Sequence, residues 1–253
     1  MRLNLVDTGE GSAVILLHGL FGSLSNLRVV SRPLAKDFRV ISVDLRNHGS
    51  SDHDPVMDLR SMAGDLIETL DSLNIFRAAF LGHSLGGKVA MQVALNFPER
   101  VEKLIVADIS PVRYKQAQSS ALDGLMAIEK TKCKSRREAD EILSRFEADD
   151  SVRGFLLTNL VRQNVSEFRL RLNVLAIAKN YFESLMAAPI GAPFTGPTLF
   201  LKGENSAYIQ DKHRIEISAL FPMADIQVIS NVGHWIHAED PKMFNKIVAD
   251  FLS

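Results

Sequence analysis

Residues 78–97 constrain the chain more than any other stretch. A short apolar run, Ala78-Ala79-Phe80-Leu81, meets a sharp turn, Gly82-His83-Ser84-Leu85-Gly86-Gly87. A helical pattern follows, Lys88-Val89-Ala90-Met91-Gln92-Val93-Ala94-Leu95, and ends before Pro98. An apolar run of that length between turn signals reads as a buried strand, and Val89, Val93 and Phe97 share one helical face. Ser84 therefore stands where a strand passes into a helix. A Gly-x-Ser-x-Gly sequence at such a junction holds its serine on a tight, strained turn, so that the hydroxyl projects alone above the strand end. Side chains at positions 82 and 86 would collide with the neighbouring strand and helix. The helix that starts here aims backbone N–H groups at negative charge arising beside Ser84. A glycine-rich turn with a capping serine shares the bare motif. The strand before, the helix after and the doubled Gly86-Gly87 favour a nucleophile.

The rest of the chain repeats this alternation. Residues 3–6 read as a short edge strand, Ala13–Leu17 as a central strand ending in His18-Gly19-Leu20-Phe21-Gly22-Ser23, and Leu24–Lys36 as a helix weakened by Pro33. Arg39–Val43 is a strand closing on Asp44. Leu59–Leu73 is an amphipathic helix with Met62, Leu66, Leu70 and Leu73 on one side, and Leu104–Ala107 is a strand ending at Asp108. Strands alternating with helices at this spacing imply a mostly parallel central sheet covered on both faces, an α/β architecture. Function in such sheets gathers at the carboxyl ends of the strands, where His18, Asp44, Ser84 and Asp108 all fall.

Between Pro111 and about Ala188 no strand is evident, and helices are expected at roughly 115–130, 135–148, 151–162 and 166–184. The sheet resumes at Thr198–Leu201 and Ile226–Ile229, and a last helix spans about Pro241–Leu252. The expected organisation is a discontinuous core domain, 1–111 and 189–253, with a helical lid, 112–188, inserted after the strand that ends at Asp108.

With 253 residues, 46% of them apolar, the chain can bury one large α/β core. A net charge of −1 gives no bulk electrostatic reason to bind nucleic acid or membranes. The single cysteine, Cys133, excludes an internal disulfide and suits a reducing compartment. The N-terminal residues go straight into a strand-like pattern without the apolar core of a signal peptide, and no run is long enough to span a bilayer. These features predict a cytoplasmic protein.

The motifs together resemble the α/β-hydrolase family over nearly the whole chain. His18-Gly19-Leu20-Phe21-Gly22-Ser23 resembles the family's oxyanion loop. Asp44-Leu45-Arg46-Asn47-His48-Gly49-Ser50-Ser51 resembles its Asp-x-Arg-x-x-Gly-x-Ser loop, Gly82–Gly86 its nucleophile elbow, and Gly233-His234-Trp235 its histidine motif. Within the family the chain is most similar to the small YbfF-type esterases of bacteria, through the His-Gly-Leu-Phe-Gly-Ser run, the Arg46-Asn47-His48-Gly49 variant, Ala107–Val112 and Gly233–Glu239. The resemblance implies hydrolysis of carboxylic esters or acyl thioesters with no metal or organic cofactor.

On that reading Ser84 is the nucleophile. His234 is the base, in a loop after the last strand where Gly233 lets the backbone turn tightly. His237 is expected to cap or pack, His83 to pack under the elbow, and His18 to tie its loop to neighbouring strand ends, while His48, His53 and His213 read as loop or surface residues. The third member departs from the commoner family pattern: Gly203-Glu204-Asn205-Ser206 has a serine where an aspartate is usual. Asp108, where YbfF-type esterases carry the acid, takes that role, with Glu204 and Asp211 as the alternatives, and Asp44 is assigned to structure. Backbone N–H groups of Leu85 and Leu20 are the expected oxyanion donors, with Phe21 beside Leu20, and Phe21 and Leu85 wall the substrate pocket.

Lys130, Lys132, Lys134, Arg136 and Arg137 put five positive charges into eight residues. They form either a solvated turn or a landing site for a phosphate-bearing leaving group. A serine-dependent carbon–carbon hydrolase or perhydrolase shares the same triad, and a non-catalytic binding protein shares the fold.

Overall fold

The structure, a computed structural model, describes residues 1–115, 119–131, 133–164 and 167–253. The first half of the chain alternates as its hydrophobic pattern requires. It runs β1 (Leu5–Thr8), β2 (Ala13–Leu17), α1 (Arg28–Leu34), β3 (Arg39–Val43), α2 (Leu59–Ser72), β4 (Ala78–His83), α3 (Leu85–Asn96) and β5 (Val101–Ala107). The intervening segment carries α4 (Ser120–Thr131), α5 (Arg136–Leu143), α6 (Asp150–Leu156), β6 (Leu160–Arg162), β7 (Phe168–Leu170) and α7 (Val174–Asn180). The chain then completes the sheet with β8 (Thr198–Gly203), α8 (Arg214–Leu220), β9 (Ala224–Ile229), α9 (Ile236–Glu239) and α10 (Pro241–Leu252).

Seven strands pair in the order β1-β3-β2-β4-β5-β8-β9. All pairs are parallel except β1 with β3, which puts the one antiparallel strand at an edge. All six residues of β4 are buried, as a central parallel strand covered on both faces must be. Side chains alternate along each strand. Val14 and Leu16 of β2 pack with Val30, Leu34, Phe244 and Val248 of α1 and α10. Ile15 and Leu17 pack on the opposite face with Leu66, Leu70, Val89 and Val93 of α2 and α3. Met62, Leu66 and Leu70 are each about 1% exposed. Burial of each contributes about 1.5–3 kcal/mol, which fixes α2 on the sheet. Asp58 caps that helix by accepting from Ser61 N.

Strand order reverses at β2: the chain leaves it for β3 on one side and crosses to β4 on the other. The crevice outside the carboxyl ends of β2 and β4 is thus the switch point at which open α/β sheets bind ligands.

The segment between β5 and β8 is not all helical. The helix expected over 151–162 ends at Leu156, and the one expected over 166–184 begins at Val174. Between them Leu160–Arg162 pairs antiparallel with Phe168–Leu170. Strands of three residues are too short for alternation to separate them from a helical pattern. Residues 116–118 of the expected helix 115–130, residue 166 of the expected helix 166–184, and Lys132 of the basic run lie outside the described residues.

Candidate active site

The elbow is built as its glycines require. Ser84 has φ 52° and ψ −118°, a conformation that costs a non-glycine residue about 1–3 kcal/mol. Its N–H is held by Ala107 O at 2.9 Å. A Cβ on Gly82 would lie 2.2 Å from Gly86 O, and one on Gly86 would lie 2.3 Å from Leu17 O. Neither position can carry a side chain without parting β2, β4 and α3.

His234, in the loop after β9, brings Nε2 to 3.1 Å from Ser84 Oγ and Nδ1 to 2.7 Å from Asp108 Oδ2. Nδ1–H donates to the carboxylate, which leaves Nε2 as an acceptor facing the serine hydroxyl. The histidine's backbone is pinned on three sides. Gly233 N and Trp235 N donate to the two carboxylate oxygens of Glu239 at 2.6 and 3.0 Å, and His83 Nε2 donates to His234 O at 2.8 Å. The Tyr208 ring stacks on the imidazole, with centroids 4.1 Å apart and planes inclined by 27°.

Asp108 is fully buried and also has positive φ, 52°. Its Oδ1 accepts from Gly203 N at 3.1 Å, and its Oδ2 accepts from Ser206 Oγ as well as from His234. Ser206, in the position where an acid is usual, therefore bonds to a carboxylate that comes from another strand end. Neither alternative acid touches the imidazole: Glu204 accepts from Asn231 N at 2.8 Å, and Asp211 pairs with Arg214.

On the other side of Ser84 the oxyanion loop is a tight turn, closed by Gly22 N to Gly19 O at 3.0 Å. His18 Nε2 accepts from Leu45 N at 3.0 Å, so its Nδ1–H donates to Gly19 O at 2.8 Å. The Gly19–Leu20 peptide is trans, so with its carbonyl held there the Leu20 N–H points the opposite way. The N–H of Phe21 is occupied by His48 Nε2 at 3.2 Å, whereas Leu85, as the first residue of α3, has no intrahelical acceptor for its N–H. Asp44 has a structural place, accepting from Leu24 N, Ser50 N and Asn4 Nδ2.

Two histidines correct the sequence reading. His48 is completely buried under the oxyanion loop, and burial pushes its pKa down to about 3. His213 is buried against Ser110 Oγ. Both lie in polar stretches, and only tertiary packing closes over them. His53 is exposed, as expected. His83 and His237 are buried beside His234; desolvation, then the neighbouring histidines, lowers both, His237 to about 4.

A cavity of about 870 Å³ opens over Ser84 and His234. Phe21, Leu85, Ile109, Phe155, Tyr181 and Trp235 give it a mainly apolar wall. Lys130, Lys134, Arg136 and Arg137 do not line it: Arg136 donates to Leu157 O and Arg137 pairs with Glu141. Lys88, in α3, is buried and donates to Val112 O, Met186 O and Ala187 O. It ties together the two ends of the segment that carries α4–α7. The sequence assigned no role to Lys88 or Tyr208, and Glu239 lies in the Gly233–Glu239 stretch without its bonds being foreseen.

The described residues contain no helix long and apolar enough to cross a membrane. The family description "alpha/beta hydrolase fold" matches residues 12–241. The sn-1-specific diacylglycerol lipase ABHD11 of Danio rerio is 40% identical over 96% of this chain and 79% of its own. The esterase YbfF of Escherichia coli is 37% identical over the full length of both. The solved structure of a marine microorganism esterase superposes with a TM-score of 0.94 at 37% identity, covering 99% of each chain.

Proposed function

The chain belongs to the α/β-hydrolase fold family and is an ester hydrolase, and from that premise we propose that it works through an acyl-enzyme on Ser84, with His234 as base and Asp108 as its acid. The observation that carries this reading is the unbroken hydrogen-bonded chain from Ser84 Oγ through His234 to a carboxylate with no exposed surface. His234 Nε2 takes the serine proton as Oγ attacks the acyl carbonyl. Asp108 holds the ring in the required tautomer and stabilises the imidazolium that forms. The tetrahedral oxyanion is met by the N–H groups of Leu20 and Leu85, and His234 then protonates the leaving oxygen or sulfur. Water, activated by the same histidine, releases the acid.

The apolar cavity fits an apolar acyl group on an ester or thioester, with Phe21 on its wall. Residues 112–188 serve as the lid of a core formed by 1–111 and 189–253. The single, buried Cys133 supports a reducing, cytoplasmic setting.

The test is a panel of nitrophenyl esters and acyl thioesters of graded length, run on wild type and Ser84→Ala, with fluorophosphonate labelling of both. Wild type should turn over the panel and take up one label. Ser84→Ala should remain folded, take up none and lose on the order of 10⁴–10⁶ in kcat. Substantial hydrolysis by the pure variant would show that the nucleophile lies elsewhere.

A further inference from the structure

Phe21 is one of six non-glycine residues with positive φ among the described residues, at 61°. It occupies the third position of the Gly19–Gly22 turn, where φ above zero marks a type II turn and favours glycine. A phenylalanine remains there only if its surroundings hold it. They do so from two directions. On the core side, the Phe21 N–H donates to His48 Nε2, while His48 Nδ1–H donates to Arg46 O at 2.9 Å. On the other side, Asn159 Nδ2 donates to Phe21 O at 2.7 Å across 138 residues of chain.

Asn159 comes from the lid, at the junction between α6 and β6. It is 2% exposed, and its amide also donates to Leu156 O at 3.1 Å. Its own carbonyl accepts from Arg171 N at 2.9 Å, just beyond β7. The lid's hairpin thus ends on this residue. A second set of bonds seats the same part of the lid on the loop that contains His48: Asn173 N donates to Asn47 O and Asn173 Nδ2 to Asn47 Oδ1.

We propose that Asn159 is a positioning residue for the reaction: by binding the Phe21 carbonyl it holds the oxyanion loop in its strained turn, so that the lid keeps the Leu20 N–H aimed at the oxyanion. The inference rests on the serine mechanism proposed above. Its physical basis is that one bond closes the turn. If Phe21 relaxes to negative φ, the Gly19–Leu20 peptide shifts with it, and a displacement of about 1 Å at an oxyanion donor costs on the order of 10²-fold in rate. A residue that only capped the end of α6 would affect stability and leave the oxyanion untouched.

The experiment compares wild type, Asn159→Ala and the near-isosteric Asn159→Asp, all as full chains. Three quantities are read: kcat and KM for a short nitrophenyl ester, affinity for a trifluoromethyl ketone that forms an oxyanion adduct, and affinity for the corresponding secondary alcohol, which forms none. Both variants should lose about 10- to 100-fold in kcat with KM little changed. Ketone affinity should fall in parallel with kcat/KM, and alcohol affinity should hold. Activity of Asn159→Asp relative to wild type should rise at low pH, where the introduced carboxyl is protonated and regains a donor. If Asn159→Ala does not fold, Asn159→Asp carries the test alone. Lowered melting temperature with kcat and ketone affinity intact would overturn the proposal and leave Asn159 as a helix cap. Fluorophosphonate labelling separates the two levels. A wild-type enzyme that takes no label on Ser84 overturns the serine mechanism and this inference together. A labelled wild type with fully active Asn159 variants overturns this inference alone.

Discussion

Ser206 Oγ donates to Asp108 Oδ2, the same oxygen that receives Nδ1–H of His234 at 2.7 Å. The serine comes from the loop after β8 and the aspartate from the end of β5, so two neighbouring strand ends combine to present one carboxylate. Asp108→Asn should cut kcat by on the order of 10²–10⁴, because an amide cannot stabilise the imidazolium. Ser206→Ala removes one of three donors and should cost less, about threefold to tenfold. Glu204→Gln and Asp211→Asn should each stay within about tenfold of wild type, since neither contacts the base. A nearly fully active Asp108→Asn beside an inactive Glu204→Gln would move the acid to the later strand.

Glu239 brackets His234 through the N–H groups of Gly233 and Trp235. An amide at this position keeps one acceptor and turns a donor toward the other N–H. Glu239→Gln should therefore lower kcat by on the order of tenfold, with KM for a small ester little changed, because it disturbs the placement of Nε2 and leaves the cavity intact. Equal kcat in the two proteins would reduce the bracket to local structure.

Phe155 of α6 packs against Trp235 in the cavity wall, with ring centroids 6.2 Å apart. Phe155→Ala should open the apolar wall and raise the ratio of long-chain to short-chain kcat/KM on the order of tenfold. A chain-length series of nitrophenyl esters reads the ratio directly, and an unchanged series would place the acyl group away from this wall.

The buried histidines predict acid lability. His48 and His237 have folded pKa values of about 3 and about 4, against 6.5 for the ordinary side chain. Both are held down first by burial, so the folded state resists the protons that the unfolded chain accepts. The stability these groups contribute is present above pH 6.5 and is lost as pH falls toward their folded values. Near pH 5 unfolding takes up about one proton at each, so stability should fall by about 3 kcal/mol per pH unit from these two. His18 and His83 are lowered as well and act in the same direction. Urea titrations at pH 7, 6 and 5 measure the slope. His48→Gln should flatten it by about 1.4 kcal/mol per unit, and an unchanged slope would mean that His48 binds its proton in the folded state.

The elements that carry the site were legible from local pattern. An apolar run, a glycine-framed turn and a helical period place Ser84, and they depend on contacts between residues near in sequence. The same is true of β2, of β3 and of the amphipathic α2. Lengths failed where pattern is short. Leu160–Arg162 and Phe168–Leu170 pair with each other because the segment between β5 and β8 folds back on itself, and three residues of either carry no decisive period.

Sequence alone gives the alternation of strands and helices up to Ala107, the strained elbow, and the residue types able to attack, accept a proton and bind an oxyanion. Each follows from steric limits on a few adjacent residues. The family resemblance put Asp108 ahead of Glu204 and Asp211, but the contact of Asp108 with His234 and the depth at which His48 and His213 are buried belong to the tertiary structure alone. Asp108, Ser206 and His234 span 126 residues of chain, and nothing local distinguishes Asp108 from Glu204 until β5 and β8 pair side by side. The Gly19–Gly22 turn closes locally, but the bonds that fix it, Leu45 N to His18 Nε2 and Phe21 N to His48 Nε2, form only when the ends of β2 and β3 lie side by side. Hydrogen-bond partners and desolvation are properties of the surroundings in space, and residues distant in sequence supply most of those surroundings here.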